Sequence, residues 1–241
     1  MGNGNRISDA EAFETSFISV VIPVYHEAAV INRTIRHVRS LPGGRNVEII
    51  VVDGHPEGTT LTVINDAAVV KIPSAKGRGR QMNLGAETTA GENLLFLHAD
   101  TRLPPGALYR IMSVMEDGAL VGGAFTLRID SERYFFRIIE KLTNLRARLT
   151  RVPYGDQGIF IRRDYFNDIG GYREIPLLED VDLMRRIRKR GDRIVLLPDA
   201  VVTSSRRWDK RGLFYGTLRN RMIMVLYNLG VKPERLARFY S

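Results

Sequence analysis

A histidine and an aspartate two residues apart, His98 and Asp100, follow directly on the apolar run Leu94-Leu95-Phe96-Leu97. In open α/β sheets ligands gather outside the carboxyl ends of the strands, so polar side chains at a strand exit mark a candidate site. If the chain stays extended, the two side chains share a face. One imidazole and one carboxylate could then hold a divalent cation, and the cation a diphosphate. The same residues would also serve as a turn cap and a satisfied core histidine, so the pair does not decide by itself. A second cluster, Glu179-Asp180-Val181-Asp182, crowds three carboxylates into the start of a helix. One would complement the helix dipole; three repel, which raises at least one pKa and suits a general base. Capping and solvation alone would also account for them. A third, Lys76-Gly77-Arg78-Gly79-Arg80, is a basic glycine-rich loop ahead of a helix. It is a poor dinucleotide fingerprint but a fair anion site, because its cations add to the helix amides. The last, Ser204-Ser205-Arg206-Arg207-Trp208-Asp209, sets two arginines beside the only tryptophan. It suits closure over a phosphate or sugar, or a surface anchor.

The elements that must position these groups follow a βαβ rhythm, which implies a parallel sheet. Phe17 to Tyr25 is a near-continuous β-branched run, as expected of a strand buried on both faces, and Ala28 to Leu41 has helical spacing. Val47 to Val52 is a second strand that delivers Asp53, and Val69 to Pro73 a third. A helix from about Gln81 to Thr89 leads to the His98 strand. Glu27, Asp53 and the His98/Asp100 pair thus recur at one sheet edge. Further on, Leu120 to Ile129 and Gly158 to Ile161 read as strands, Tyr134 to Leu149 and Glu179 to Lys189 as helices. Ile194 to Leu197 and Ala200 to Thr203 read as two strands separated by Pro198-Asp199. The stretch Gly212 to Leu229 is apolar and aromatic, interrupted by Arg219 and Arg221. Such a basic amphipathic segment packs on its own domain, on a second subunit or on a membrane interface.

Composition narrows the chemistry. The 241 residues contain no cysteine, which excludes disulfides, thiolate metal sites and a thiol nucleophile. One α/β domain is expected at this length. The net charge of +9 favours anionic partners. Met1 to Ser16 is polar and reads as a frayed leader, with no signal peptide. No run approaches the roughly 18 apolar residues of a membrane span. A cytoplasmic protein is expected.

Taken together, these motifs resemble the family 2 glycosyltransferases of the GT-A fold, from about Phe17 to Tyr240. The resemblance rests on Val-Val-Ile-Pro-Val-Tyr-His-Glu in the first strand, Ile-Ile-Val-Val-Asp in the second, Arg80-Gln81-Met82-Asn83-Leu84-Gly85, His98-Ala99-Asp100 and Glu179-Asp180, in that order. Lys-Gly-Arg-Gly-Arg-Gln-Met-Asn, Tyr-Gly-Asp-Gln-Gly and Ser-Arg-Arg-Trp look like a bacterial subgroup with His-Ala-Asp in place of the Asp-x-Asp motif. The resemblance implies a Rossmann-like three-layer sandwich around a mostly parallel sheet. After the 1–16 leader it implies a transferase domain over 17–210, with a nucleotide half to about 103 and an acceptor half from about 104, and then a C-terminal helical segment, 211–241. It further implies that Pro23, Tyr25, Glu27, Asp53, Lys76, Arg80, Asn83, His98 and Ala99 surround the nucleotide, with Asp53 on the base. Asp100, with His98, would bind Mn²⁺ or Mg²⁺. Asp180 would be the catalytic base, with Glu179 beside it. Asp156, Gln157, Arg206, Arg207 and Trp208 would meet the acceptor or a phosphate. Two departures stand out: His98 replaces the first Asp of the motif, and Gly54-His55-Pro56-Glu57-Gly58-Thr59 differs from the family's usual small hydroxyl residues and Asp.

The expected activity is therefore inverting transfer of a sugar from a nucleotide sugar, UDP-linked first, to a hydroxyl acceptor that could be lipid-linked. Peripheral contact with the inner face of the membrane and a homodimer are compatible with the last helix. The alternatives are a nucleotidyltransferase, which would release pyrophosphate, and a non-catalytic module for anionic surfaces. The basic residues alternate with acidic ones and no aromatic-studded basic sheet motif appears, so no nucleic acid is expected.

Overall fold

The computed structural model describes residues 18–206 and 213–239. The leader (1–16), Arg207 and Trp208 lie outside the described residues. Eight strands form one sheet in the order β3-β2-β1-β4-β7-β6-β8-β5. They are β1 (Ile18–Val24), β2 (Glu48–Asp53), β3 (Val70–Pro73), β4 (Asn93–Phe96), β5 (Thr101–Arg102), β6 (Leu120–Asp130), β7 (Ile159–Arg162) and β8 (Arg193–Ser204). The pairs β1/β2, β1/β4, β2/β3 and β6/β8 are parallel; β4/β7, β6/β7 and β5/β8 are antiparallel. The central strand β1 has no edge to water, which is why its sequence is apolar at nearly every position rather than alternating.

Helices cover both faces. On one side α1 (Ile31–Ser40) and α3 (Ala107–Met115) contribute Ile31, Ile35, Val38, Leu108 and Ile111 to a core with Val20, Ile22, Ile49 and Leu95. On the other, α2 (Arg78–Glu87), α5 (Arg163–Asp168) and α6 (Glu179–Arg190) pack Met82, Ala86, Phe166, Leu183 and Ile187 against Val21, Ile50 and Leu94. The result is the three-layer arrangement that the resemblance implies. Three further helices are α4 (Tyr134–Thr150), α7 (Leu213–Asn228) and α8 (Pro233–Ala237).

Three expectations need correction. Residues 194–203 form one strand, not two: β8 pairs with β6 throughout, and Pro198 and Asp199 are accommodated as a bulge where the register steps from Phe125↔Leu197 to Thr126↔Ala200. Proline lacks the amide a ladder needs, and the bulge spares it. The carbonyls of Pro198 and Asp199 instead accept from Thr126 Oγ1 at 2.9 and 3.0 Å. Next, β4 ends at Phe96 and the chain turns, closed by the Thr101 amide on the His98 carbonyl at 3.1 Å. His98 and Asp100 are therefore not successive positions of an extended strand. Helix α2 starts at Arg78 rather than near Gln81, so Arg78 and Arg80 lie in its first turn. Gly79 is obligatory there, because a Cβ would stand 2.6 Å from the Arg173 carbonyl oxygen. Helices α3 and α5 have no separate signal in the sequence.

Candidate active site

The chain exits of β1, β2, β4 and β8 converge at one edge of the sheet. Gln81 on α2 ties two of them together, donating from Nε2 to the carbonyls of Val24 and Val52, both at 2.7 Å. Asp53, fully buried at the end of β2, spends its carboxylate on the backbone: Oδ1 accepts from the His55 amide and Oδ2 from the Thr60 amide, each at 2.9 Å. It shapes the 54–60 loop and presents no free edge to a base in this conformation. The loop brings His55 against His26 and Tyr25, with ring centroids 4.3 and 5.5 Å apart, and the Lys76 ammonium stands 4.6 Å from the Tyr25 centroid. An exposed aromatic ring beside a cation is a platform for a flat anionic ligand. Pro23 is half-buried behind it.

Glu27 follows β1. Its amide donates to Thr60 Oγ1 at 3.2 Å, and its carbonyl accepts from Val30 and Ile31 at 3.0 Å, which fixes the entry to α1. Its side chain meets Arg206, just after β8: Arg206 Nη2 lies 3.2 Å from Glu27 Oε2 and 3.5 Å from Asp100 Oδ2. Two carboxylates thus converge on one positive group. Ala99 is buried, and its carbonyl accepts from Thr34 Oγ1. Arg80 pairs with Glu174 at 2.8 Å on the surface. Asn83 uses both ends of its amide on the backbone of Tyr172, each at 2.8 Å.

Beside this edge lies a cavity of about 560 Å³. Its polar end carries His98, Asp156, Asp180, Arg78 and Arg146; its walls are Leu127, Ile139 and Leu142 on one side and Ile223, Met224 and Val225 of α7 on the other. Asp180, in the first turn of α6, is clamped by two amides: Gly155 donates to Oδ2 at 2.5 Å and Val181 to Oδ1 at 2.7 Å. A Cβ at Gly155 would lie 3.2 Å from both Asp180 Oδ2 and His98 Nε2, a close fit. That shared point also places the His98 imidazole next to Asp180, in the cavity. Glu179 is buried and paired with Arg78 at 3.1 Å. Burial holds its carboxyl above the ordinary range, Arg78 draws it down, and Asp180 pushes it up again. Gln157 is buried, donating to the Phe125 carbonyl and accepting from the Tyr154 amide, both at 3.0 Å.

The sequence reading did not single out Arg146. Its guanidinium lies 3.4 Å from the Tyr154 ring centroid and donates from Nη1 to the Val152 carbonyl at 2.7 Å. Its Nη2 is buried without a hydrogen-bond partner among the described residues. Burial lowers the Arg146 pKa and raises that of Tyr154. No sequence signal marks such a residue, because a basic side chain on an amphipathic helix reads as solvated.

Among the described residues no three His, Asp or Glu side chains cluster as a metal site. Small hard cations at phosphates take only one or two protein carboxylates and complete their shell with water and phosphate oxygens. Asp100 and Glu27, already gathered around a guanidinium, fit that pattern.

A family model described as "Glycosyl transferase family 2" matches residues 19–170. The uncharacterized protein MT1568 of Mycobacterium tuberculosis is 30% identical over 204 residues, covering 72% of this chain and 62% of that protein. Undecaprenyl-phosphate 4-deoxy-4-formamido-L-arabinose transferase of Shewanella sediminis is 30% identical, over 61% of this chain and 47% of its own length. The probable glycosyltransferase YdaM of Bacillus subtilis is 26% identical, over 76% and 49%. The chain therefore spans between about half and three fifths of the relatives it matches. Among solved structures, the mannosyltransferase PcManGT from Pyrobaculum calidifontis, in complex with GDP-Man and Mn²⁺, superposes with a TM-score of 0.65 at 20% identity, over 86% of this chain and 60% of its own, and supports the GT-A fold. With the family model matching well over half of its length, this chain belongs to glycosyltransferase family 2.

Proposed function

We infer that the protein transfers a sugar, with inversion, from a nucleoside-diphosphate sugar to an acceptor hydroxyl. The observation that carries this reading is Asp180, a carboxylate fixed by two amides at the polar end of a cavity that adjoins the Glu27/Asp100 edge. Tyr25 and Lys76 receive the nucleotide, taken first as UDP. The acceptor lies in the cavity, where Asp180 removes its hydroxyl proton as the oxygen attacks the anomeric carbon. The bond to the diphosphate breaks on the opposite side. A general base so placed contributes about 10²–10⁴-fold. Asp100 belongs to the site of a divalent cation, Mn²⁺ or Mg²⁺, which when bound neutralises charge on the departing diphosphate.

The apolar cavity walls favour a lipid-linked acceptor, and a relative named for undecaprenyl phosphate lends support. Exposed side chains Tyr134, Leu145 and Leu149 on α4, and Leu218, Met222 and Leu229 on and just after α7, favour peripheral contact with the cytoplasmic face of a membrane. The test is Asp180→Asn, assayed for release of nucleoside diphosphate from UDP-, GDP-, CDP- and ADP-sugars and, by thermal shift, for nucleotide binding. Turnover should fall at least about 10²-fold with binding unchanged. Retained turnover would sink the assignment.

A further inference from the structure

The carboxylate nearest to Asp100 in function is not next to it in sequence. Arg206 Nη2 is shared between Asp100 and Glu27, at 3.5 and 3.2 Å. Both carboxylates have backbones fixed by secondary structure, Glu27 by the start of α1 and Asp100 by the turn between β4 and β5. His98, the other group that the sequence offers as a ligand, has its Nε2 beside Gly155 and Asp180 in the neighbouring cavity.

We propose that the divalent cation of the donor site is held by Glu27 and Asp100, that His98 is not among its ligands, and that the Arg206 guanidinium is its placeholder. The proposal builds on the donor-site reading above, which gives the cation its purpose. Two converging carboxylates repel unless a positive charge lies between them, and the guanidinium supplies one. Its contacts are longer than the roughly 2.7–2.9 Å of a strong charge-assisted hydrogen bond. The Arg206 side chain is 42% exposed, so it has room to leave. Its buried Nε has no partner among the described residues, so little besides these two carboxylates retains the group. An all-oxygen pair also suits Mg²⁺ or Mn²⁺ better than an imidazole does. Arg206 and a metal ion therefore compete for the same oxygens. A free ion therefore binds only weakly, whereas one arriving with a diphosphate brings oxygens of its own, and the displaced guanidinium gains phosphate as an alternative partner.

The test is Mn²⁺ binding to the full chain without nucleotide, followed by calorimetry or electron paramagnetic resonance. Arg206→Gln should bind Mn²⁺ about tenfold tighter than wild type, about 1.4 kcal/mol, and Arg206→Lys should not. Adding Glu27→Gln to Arg206→Gln should abolish the gain, and adding His98→Ala should leave it. A folded Arg206→Gln protein with no gain overturns the proposal, as does a gain that needs His98 and not Glu27. Should Arg206→Gln fail to fold, the single variants Glu27→Gln and His98→Ala at millimolar Mn²⁺ decide the point, since only the first should lose binding. No donor enters these titrations, so absence of glycosyl transfer would count against the enzymatic reading and leave this result standing.

Discussion

The three carboxylates at the start of α6 have separated roles. Asp182 is tied to Arg173 at 3.1 Å and Arg186 at 2.8 Å, Glu179 is buried against Arg78, and only Asp180 faces the cavity. Crowding was legible in the sequence; the division of labour was not, because it depends on which arginines the fold brings alongside. Glu179 carries a pH prediction. Burial raises its pKa above the ordinary 4.5, so the folded state binds more protons than the unfolded chain in the window that opens there and extends upward. Stability contributed through this group is present at lower pH and lost as pH rises through that window. Glu179→Gln removes the titration, so melting temperature should fall less steeply between pH 4.5 and neutrality than in wild type. An identical slope would show that Glu179 titrates normally. His98 illustrates the opposite limit: a turn after Phe96 sends its imidazole to the cavity while Asp100 faces Arg206, and alternation holds only while the chain stays extended.

At the scale of elements, the apolar runs of β1, β2 and β4 were readable because strands buried on both faces leave little choice of residue. The strand β8 was misread since a proline ordinarily interrupts a ladder, and a bulge is invisible without its partner strand. The packing of β6 against β8 and β7 is also close. A Cβ on Gly123 would lie 2.4 Å from the Val195 carbonyl oxygen and 2.5 Å from Phe160 Cζ. Gly123→Ala should therefore destabilise the protein by about 1–3 kcal/mol, the cost of overpacking a filled core, read as a lower urea midpoint at constant slope. A second expectation belongs to α2. Gln81→Leu removes the side-chain donor from the Val52 carbonyl, whereas the Val24 carbonyl keeps the Gly54 amide at 3.0 Å, and should cost about 1–3 kcal/mol. A nucleotide affinity unchanged in this variant would show that the two strand ends need no staple.

For the molecule as a whole, the excess of positive charge is not spread evenly. Helix α4 exposes Lys141 and Arg148 and α7 exposes Arg221, while Arg137 pairs with the buried Glu140 at 3.0 Å and Arg219 is buried. The cavity opens between these helices, since Leu142 and Val225 both line it and are exposed. An anionic bilayer complements this face. Vesicles containing phosphatidylglycerol should bind the protein in a salt-sensitive manner, phosphatidylcholine vesicles weakly, and Tyr134→Ser with Leu149→Ser should reduce co-sedimentation without altering nucleotide binding. Equal binding by the variant would remove α4 from the contact. The net charge was legible from composition, but its concentration on two helices 60 to 90 positions apart from each other was not, because only the fold makes them neighbours.

The contact between Arg206 and Glu27 joins residues 179 positions apart, and β5 reaches its partner β8 across about a hundred. Loop-closure entropy makes such long-range pairings late events in folding. The first strand in the chain thus waits for nearly the last before Glu27 and Asp100 have their countercharge. A ribosome-bound chain that has emerged only as far as α6 already owns Glu27, Asp100 and Asp180, yet lacks the strand that completes the sheet beside β6 and the cation that balances the edge. Until Arg206 and β8 follow, Glu27 and Asp100 lack the guanidinium that stands between them, and β6 lacks its parallel partner.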